Sequence, residues 1–522
     1  MTVRRSLPFD RLARLALYLV IGGDVLIGVL LRFRSTSKLW LDEAQSVNIS
    51  AHPLSQLTQY LRHDGAPPLY YVVLHFWMRV VGSTDLDVRA LSGIFGVLSL
   101  VAAYFALRAW WDSELALIAL AILAVLPYAI YFGTETRMYS LVMMLSALML
   151  WALRCHMNRP RIWTASVLAV LGALLLYTHY WSIYLLSVIG LYGLIRWWLH
   201  RQETPRRDWL LPASMAGSFI LWAPWLPIFN TQRLHTGTPW AAAPTIYKLF
   251  TWFDGFTVNQ SVPHVVASLH TQIAIMLFVA LIIFGVFGHR MVKGSPLVVL
   301  DVTAESQSRT FAYIVFVTMA VGLLASHIDG SAYVPRYAAV IAVPICFLAA
   351  RGIWNFKTSI RILLVLVLFS GASVWTDRWG IGTQRSQAGQ IAAALATVPA
   401  GSIVYVCPDQ LGPSLLRYSN SALNYVGYPR FVNPVIVDWY DYLHAYKIVT
   451  PAQHALQQAK LIAPTRRVFI VRAHFYGLKE TCWSFEQDLA HDLNRTVVPL
   501  VKENVGGFYQ PMELQELKVT TS

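Results

Sequence analysis

Two adjacent carboxylates, Asp42 and Glu43, follow the first long apolar run of this chain, in the stretch Lys38-Leu39-Trp40-Leu41-Asp42-Glu43-Ala44-Gln45. His63 and Asp64 stand just ahead of Pro67-Pro68-Leu69-Tyr70-Tyr71, and Arg89 opens another apolar run. Three further short segments mix cations with aromatic rings: Thr134-Glu135-Thr136-Arg137-Met138-Tyr139, Tyr177-Thr178-His179-Tyr180-Trp181 and Tyr333-Val334-Pro335-Arg336-Tyr337. These residue types suit displacement of a group from a phosphate. A leaving phosphate is a weak base that needs no proton, but it needs cations for the charge that develops. The arginine fork fits it better than lysine. An acceptor hydroxyl needs one positioned carboxylate as general base. One carboxylate and an arginine pocket therefore suffice for inverting glycosyl transfer. A glycosidase needs two cooperating carboxylates because its alkoxide leaving group must be protonated. Side chains at i and i+1 point apart in helix or strand. One of Asp42 and Glu43 is thus expected to be the base, and the other to orient a loop or a cation.

These residues must be positioned by membrane spans. The 522 residues are 56% hydrophobic and only 13% charged, whereas a soluble protein carries roughly a quarter charged residues. Many runs reach the ~17–25 apolar residues that cross a bilayer. Arg4, Arg5, Arg11 and Arg14 precede the first run, Leu15 to Phe33. They set the N-terminus inside and Asp42 outside. No small-residue cleavage site follows, so this run reads as an uncleaved helix rather than a signal peptide. Asp24 within it is expected to face the bundle interior. The run from Tyr70 to Val81 is short and is expected to lie along the interface rather than cross. Counting it as a crossing would place Arg154, Arg159, Arg161, Arg351, Lys357 and Arg361 outside, against the positive-inside rule.

About eleven spans result, with a multi-pass plasma (inner) membrane location and the tail outside. The membrane module is expected over residues 1–380, with a first outer loop at 34–88 and a long outer loop at 230–270. Ala51 to Gly65 reads as a polar loop of amphipathic character. Asp254, His264 and His270 in the long loop line the cleft or face solvent. Residues 381–522 are less apolar. Gly401 to Val406 and Arg467 to Val471 read as buried strands, and Pro451 to Ile462 and Phe485 to Asn494 as helices. The expectation is a small extracytoplasmic α/β domain, in which Cys407 and Cys482 can pair.

Several readings are set aside. The formal charge of +14 reflects arginine and lysine in short loops, where they set topology and touch anionic headgroups, and not a nucleic-acid partner. No P-loop or dinucleotide glycine motif occurs. No zinc motif of the His-Glu-x-x-His type occurs either. The Asp-Glu pair is compatible with a divalent metal bridging carboxylate and phosphate but does not indicate one, and no cofactor is implied. His75 on an apolar face reads as satisfied packing. The Trp110-Trp111 and Trp197-Trp198 doublets read as interfacial anchors, and Pro67-Pro68 as a helix start. A transporter or flippase of lipid-linked sugars would place its ionisable groups at mid-membrane in repeated halves. Here only Asp24 lies mid-span and no repeat is visible. A lipid-linked-oligosaccharide ligase would share the outer carboxylate and cations.

The Asp-Glu pair after the first span, the His-Asp-Gly-Ala-Pro-Pro-Leu-Tyr-Tyr segment some twenty residues on and Arg89-Ala-Leu-Ser-Gly at a span start together resemble the membrane-embedded GT-C glycosyltransferases. More narrowly, they are similar to the bacterial branch related to protein O-mannosyltransferases and to the aminoarabinose transferases of lipid A. The resemblance covers residues 15–375 in outline. It implies a GT-C-like helical fold, a polyprenyl-phosphate-sugar donor, a glycan, glycolipid or protein acceptor and inversion at the anomeric carbon. It also implies a juxtamembrane helix after the Pro-Pro pair. Carried over, Asp42 becomes the base, and Arg89, which matches a family arginine, is a candidate for the donor phosphate. Arg137, His179 and Arg336 become candidates for the donor phosphate, with His63, Asp64, Tyr70, Glu135, Tyr139 and Tyr337 about the substrates. Relatives often carry His or Lys immediately before Pro-Pro. This chain has Ala66 there, so another cation must supply that contact.

Overall fold

The computed structural model describes residues 8–200, 207–237, 244–258, 269–287, 289–291, 298–300, 306–330, 332–474 and 478–519. Arg4, Arg5 and His264, considered above, lie outside them, as do parts of the 230–270 loop. In chain order the helices are α1 (Pro8–Leu31), α2 (Leu41–Ala51), α3 (Leu54–Asp64), α4 (Leu69–Val80), α5 (Asp85–Trp110), α6 (Ser113–Val125), α7 (Pro127–Gly133), α8 (Tyr139–Asn158), α9 (Ile162–Leu176), α10 (Ser182–His200), α11 (Leu210–Trp222), α12 (Leu226–His235), α13 (Lys248–Thr257) and α14 (Leu269–Phe287). A short antiparallel hairpin, β1 (His289–Met291) and β2 (Val298–Leu300), precedes α15 (Ser306–Asp329), a 3-10 segment Pro335–Ile341, α16 (Ala342–Trp354) and α17 (Ser359–Gly382).

Nine helical stretches among the described residues are long and apolar enough to cross a membrane. The pair α6 and α7, bent by 59° at the break, adds a tenth. The expected span from Ile162 to Tyr177 is the apolar α9, only 15 residues long, so nine or ten helices among the described residues, rather than about eleven, are long enough to cross. The chain is a multi-pass membrane protein. The Tyr70 run forms the 12-residue α4, about 18 Å at 1.5 Å per residue and too short to span. Ala51 to Gly65, expected as loop, is instead mostly helical: α3 buries only Leu57 and Leu61. Its apolar residues are few, so its helical period was weak in the sequence. The long loop likewise contains α12 and α13.

The chain separates into two compact units. The first comprises residues 1–35, 89–226 and 242–382; the second, 36–88, 227–241 and 383–522. The first unit is the helical bundle. Asp24 on α1 is buried and accepts a 2.7 Å hydrogen bond from Ser370 Oγ on α17, so it faces the bundle as expected. Helix α6 stops at Leu126, because Pro127 disfavours helical backbone before it. Arg32 occupies the break. Its Nη1 donates to Gly28 O and Ala124 O, both at 2.7 Å, and its Nη2 to Leu123 O at 3.0 Å.

The second unit holds β3 (Gln384–Ser386), α18 (Ala388–Leu395), β4 (Ile403–Cys407), α19 (Gly412–Tyr418), β5 (Asn424–Gly427), α20 (Tyr442–Ala445), α21 (Pro451–Ala459), β6 (Val468–Arg472), α22 (Lys479–Asp492), β7 (Arg495–Val501), β8 (Phe508–Gln510) and β9 (Glu513–Val519). Five strands form one sheet in the order β5-β4-β6-β9-β7, parallel across β5, β4 and β6 and antiparallel across β6, β9 and β7. Strand β3 pairs in parallel with β8 in a separate two-stranded sheet. The expected strands and helices of the tail are thus present. Cys407, ending β4, is joined to Cys482 on α22 by a disulfide.

Candidate active site

The residues singled out in the sequence divide between the two units. Asp42, Glu43, His63, Asp64 and Tyr70 belong to the second; Arg89, Glu135, Arg137, Tyr139, His179, Arg336 and Tyr337 belong to the first.

In the second unit, Asp42 and Glu43 sit in the first turn of α2, where carboxylates are favoured by the helix dipole. They differ sharply in surroundings. Glu43 is fully buried, and its Oε1 accepts from Arg385 Nη1 at 3.1 Å, itself buried. Asp42 is half-buried. Asp64, at the end of α3, accepts from Gln45 Nε2 at 3.1 Å and from Tyr71 Oη at 2.6 Å. Gln45 also clasps the Val437 peptide, donating to its O at 3.0 Å and accepting from its N at 2.9 Å. His63 Nδ1 lies 2.8 Å from Asp438 Oδ1, and the ring stacks on Tyr440 at 5.1 Å. Tyr70 is buried on α4, edge-on to Tyr71 at 6.4 Å. His75 Nδ1 meets Ser50 O at 2.8 Å, the packing role read from sequence. Gly65 ends α3 with φ +84°, and a Cβ there would come within 2.8 Å of Thr236 Oγ1. Both facts restrict this position, just before Ala66-Pro67-Pro68, to glycine.

In the first unit, the break after α6 and the short α7 lead into the Thr134–Tyr139 segment. Glu135 and Tyr139 are buried there, and Glu135 Oε1 accepts from Tyr131 Oη at 3.4 Å. Ser92 Oγ on α5 donates to Arg137 O at 3.2 Å. Arg89 is buried one turn earlier on the same helix. The turn between α9 and α10 brings His179 to the Tyr139 ring at 5.6 Å and to the Tyr337 ring at 5.1 Å. The 3-10 segment that opens with Pro335 carries Arg336, whose guanidinium lies 5.7 Å from the Tyr337 ring centre. Tyr128 Oη anchors Arg336 O at 2.8 Å.

Arg137 and Arg336 both act on His179. Burial, reinforced by those two charges, pushes its imidazole down to about 3. Its Nδ1 accepts from the Trp181 N–H at 3.2 Å, which places the proton on Nε2. His179 is therefore a neutral donor between two arginines and not a third cation. Aromatic packing stiffens the cluster: Trp181 contacts Tyr337, Tyr333 and Trp252 at 5.6, 5.4 and 5.1 Å. Burial raises the Asp254 carboxyl on α13 above the usual carboxylate range. His270 stands 5.9 Å from the Trp375 ring. No three His, Cys, Asp or Glu side chains among the described residues are grouped to hold a metal ion.

Sequence reasoning missed Arg385, Gln510 and Tyr418 around Asp42, and Arg32 and Asp377 in the bundle. The first three lie in the tail, 342 to 469 residues from their partners, and no local signal marks them. Arg32 and Asp377 sit at the ends of apolar runs, where a charge ordinarily reads as one that reaches the interface.

Known proteins give three further observations. Residues 65–228 match the family described as dolichyl-phosphate-mannose-protein mannosyltransferase, a segment that includes Tyr70, Arg89, Glu135, Arg137, Tyr139 and His179. ArnT from Cupriavidus metallidurans in the apo state is similar in structure, with a TM-score of 0.59 and 11% identity over 94% of this chain and 97% of that one. The same protein bound to undecaprenyl phosphate gives 0.55 and 10%, over 96% and 97%. The arabinofuranosyltransferase AftD from Mycobacteria gives 0.51 and 14% over 96% of this chain, which spans 40% of AftD. A sequence comparison with curated proteins finds no match.

Proposed function

We propose that this chain, a membrane protein of GT-C fold related to the protein mannosyltransferases and to ArnT, is an inverting glycosyltransferase. It moves a sugar from a polyprenyl-phosphate donor to a hydroxyl of a glycan, glycolipid or protein. The observation that carries this reading is the unequal fate of the two carboxylates. Glu43 is fully buried against Arg385, while Asp42 beside it is only half-buried, which makes Asp42 the more accessible carboxylate for base work. A glycosidase would need two. Undecaprenyl phosphate, which ArnT was found bound to, is the donor lipid class this supports.

Asp42 takes the acceptor hydroxyl proton as the new oxygen–carbon bond forms at the anomeric centre. The bond from that carbon to the phosphate oxygen breaks, and the phosphate leaves with the electron pair. A single displacement inverts the centre. Arg137 and Arg336 stabilise the departing phosphate, and His179 donates to it from Nε2–H as a neutral group. Two arginines supply the charge that Ala66 cannot.

The reaction belongs at the outer face of the membrane. The Cys407–Cys482 disulfide fits an oxidising compartment.

The test is Asp42→Asn in the full chain, assayed for release of undecaprenyl phosphate from a panel of undecaprenyl-phosphate-linked sugars. Turnover should fall by about 10²–10⁴-fold, the usual range for a general base, with undecaprenyl phosphate binding retained. Full turnover in this variant removes Asp42 as base.

A further inference from the structure

We propose that the C-terminal domain is a working part of the active site, with Arg385, Gln510 and Tyr418 as positioning residues that set Asp42 for proton abstraction. This rests on the transferase reading above and deepens it. It assigns the tail a role other than a cap or an acceptor-binding module.

Helix α2 has little of its own to define its start. The first N–H groups of a helix lack partners within it, and Ser, Thr, Asp or Asn normally supplies one. Here the cap position is Trp40, whose side chain makes no cap bond, and the local contribution is a long bond from the Trp40 N–H to Glu43 Oε2 at 3.5 Å. Eleven residues also fall short of the ~12–15 at which an isolated helix becomes even marginal in water. The tail supplies what is missing. Gln510 Oε1 accepts from Leu41 N at 3.2 Å, and the same oxygen is fixed by Ser386 Oγ and Ser414 Oγ, each at 3.0 Å. Tyr418 Oη accepts from Leu39 N at 2.7 Å and donates to Asp85 Oδ2 at 2.7 Å. Lys38 Nζ lies 4.5 Å over the Tyr418 ring.

The side chains on either side of Asp42 are held as firmly. Trp40 is buried in the core of the tail with Tyr405, Tyr428 and Phe485, and meets Tyr509 edge-on at 4.9 Å. Glu43 is paired with Arg385. Arg385 and Gln510 come from the two strands of one small sheet, β3 and β8, in which Ser386 is paired with Gln510. Thus residues 38 to 41 and residue 43 are each anchored on residues 383–522, and Asp42 stands in a frame that the tail builds. Displacing a reacting group by ~1 Å can cost about 10²-fold in rate, so this frame controls the chemical step.

The experiment compares four variants in the full chain in detergent. Arg385→Ala and Gln510→Leu remove the frame, and Arg385→Lys retains its charge. Arg495→Ala is the control, because it removes two bonds to the carbonyls of Arg466 and Pro464 elsewhere in the same domain. Two readouts are taken. Hydrogen exchange at residues 39–43 should rise in Arg385→Ala and Gln510→Leu while the sheet stays protected. The kcat for release of undecaprenyl phosphate should fall by about 10²-fold with donor KM unchanged, and Arg385→Lys should recover part of it. Arg495→Ala should lower Tm and leave kcat intact below it. Wild-type kcat in both Arg385→Ala and Gln510→Leu, or a loss that follows only the folded fraction as in the control, overturns the proposal. If Asp42→Asn is inactive in that case, the transferase reading stands and the positioning role alone falls. If Asp42→Asn is fully active, both fall.

Discussion

Each unit buries an arginine with a carboxylate, and the two pairs are built in opposite ways. Glu43 and Arg385 meet directly at 3.1 Å, so each is the other's reason for being inside the protein. In the bundle, Arg32 is buried within reach of the charge of Asp377, but its guanidinium is directed at the carbonyls of Gly28, Leu123 and Ala124. Asp377 is buried, and neither of its carboxylate oxygens has a hydrogen-bond partner among the described residues. The first pair is a local clamp beside the candidate base. The second is a plug: an arginine that caps the broken end of α6 and lays its stem on Gly133, where a Cβ would come within 2.7 Å of Arg32 Cγ. Gly133 ends α7, immediately ahead of the Glu135–Arg137 segment. A broken helix inside a bundle frees carbonyls that hydrocarbon cannot satisfy, and one arginine answers that need where a water-facing loop would answer it with solvent.

This contrast can be broken by substitution. Arg32→Ala should have the largest effect, a loss of about 3–5 kcal/mol, because it strands a buried carboxylate and frees the α6 carbonyls together. Asp377→Asn should cost clearly less, since the three carbonyl bonds of Arg32 persist. Equal losses by thermal unfolding in detergent would make the plug an ordinary ion pair. Next in size is removal of the disulfide in the second unit by Cys407→Ser with Cys482→Ser. It should destabilise the tail by about 2–4 kcal/mol while the bundle helices keep their exchange protection. Loss of protection in the bundle would show that the units do not unfold separately.

Arg137→Ala and Arg336→Ala come third. Each should weaken binding of undecaprenyl phosphate by roughly tenfold or more, the worth of a charged hydrogen bond of about 1.5–3 kcal/mol. Unchanged affinity in both would move the phosphate to Arg89.

The pH effects are of opposite sign in the two units. His179 stays neutral in the folded chain down to about 3 against an ordinary 6.5. Its contribution is therefore full above about 6.5 and is lost as pH falls below that value, because the unfolded chain then binds the extra proton. Asp409 in the second unit is pushed up to about 7 from 3.8 by burial, against the hydrogen bond from Tyr442 at 2.5 Å. Its proton is held in the fold but released in the unfolded chain, so stability falls as pH rises from about 4 to about 7. His179→Asn should flatten the acid limb of the stability profile and Asp409→Asn the neutral limb. A shift of the same limb by both would refute the assignment.

The spans, the short α4 and the tail strands were legible because apolar run length and two-residue alternation are local properties of the chain. The amphipathic α3 was not, since a helix that buries two leucines leaves little periodic signal. Arg137, Tyr139, His179, Arg336 and Tyr337 could be nominated as polar groups at the mouths of spans, and the bundle does gather them. That His179 is neutral could not be read, because its charge depends on burial and on two arginines from other segments.

From the sequence alone it followed that Asp42 and Glu43 could not share one task, because neighbouring side chains diverge. Which of them would be fully buried against an arginine was open, and the tertiary structure placed Glu43 there. Arg385 reaches Glu43 across 342 positions of sequence, and such a partner offsets the cost of burying a charged carboxylate. The same holds for the start of α2. Near Trp40, Glu43 reaches back to the Trp40 N–H at 3.5 Å, and Gln510, 469 residues away, supplies the acceptor for the next N–H, that of Leu41.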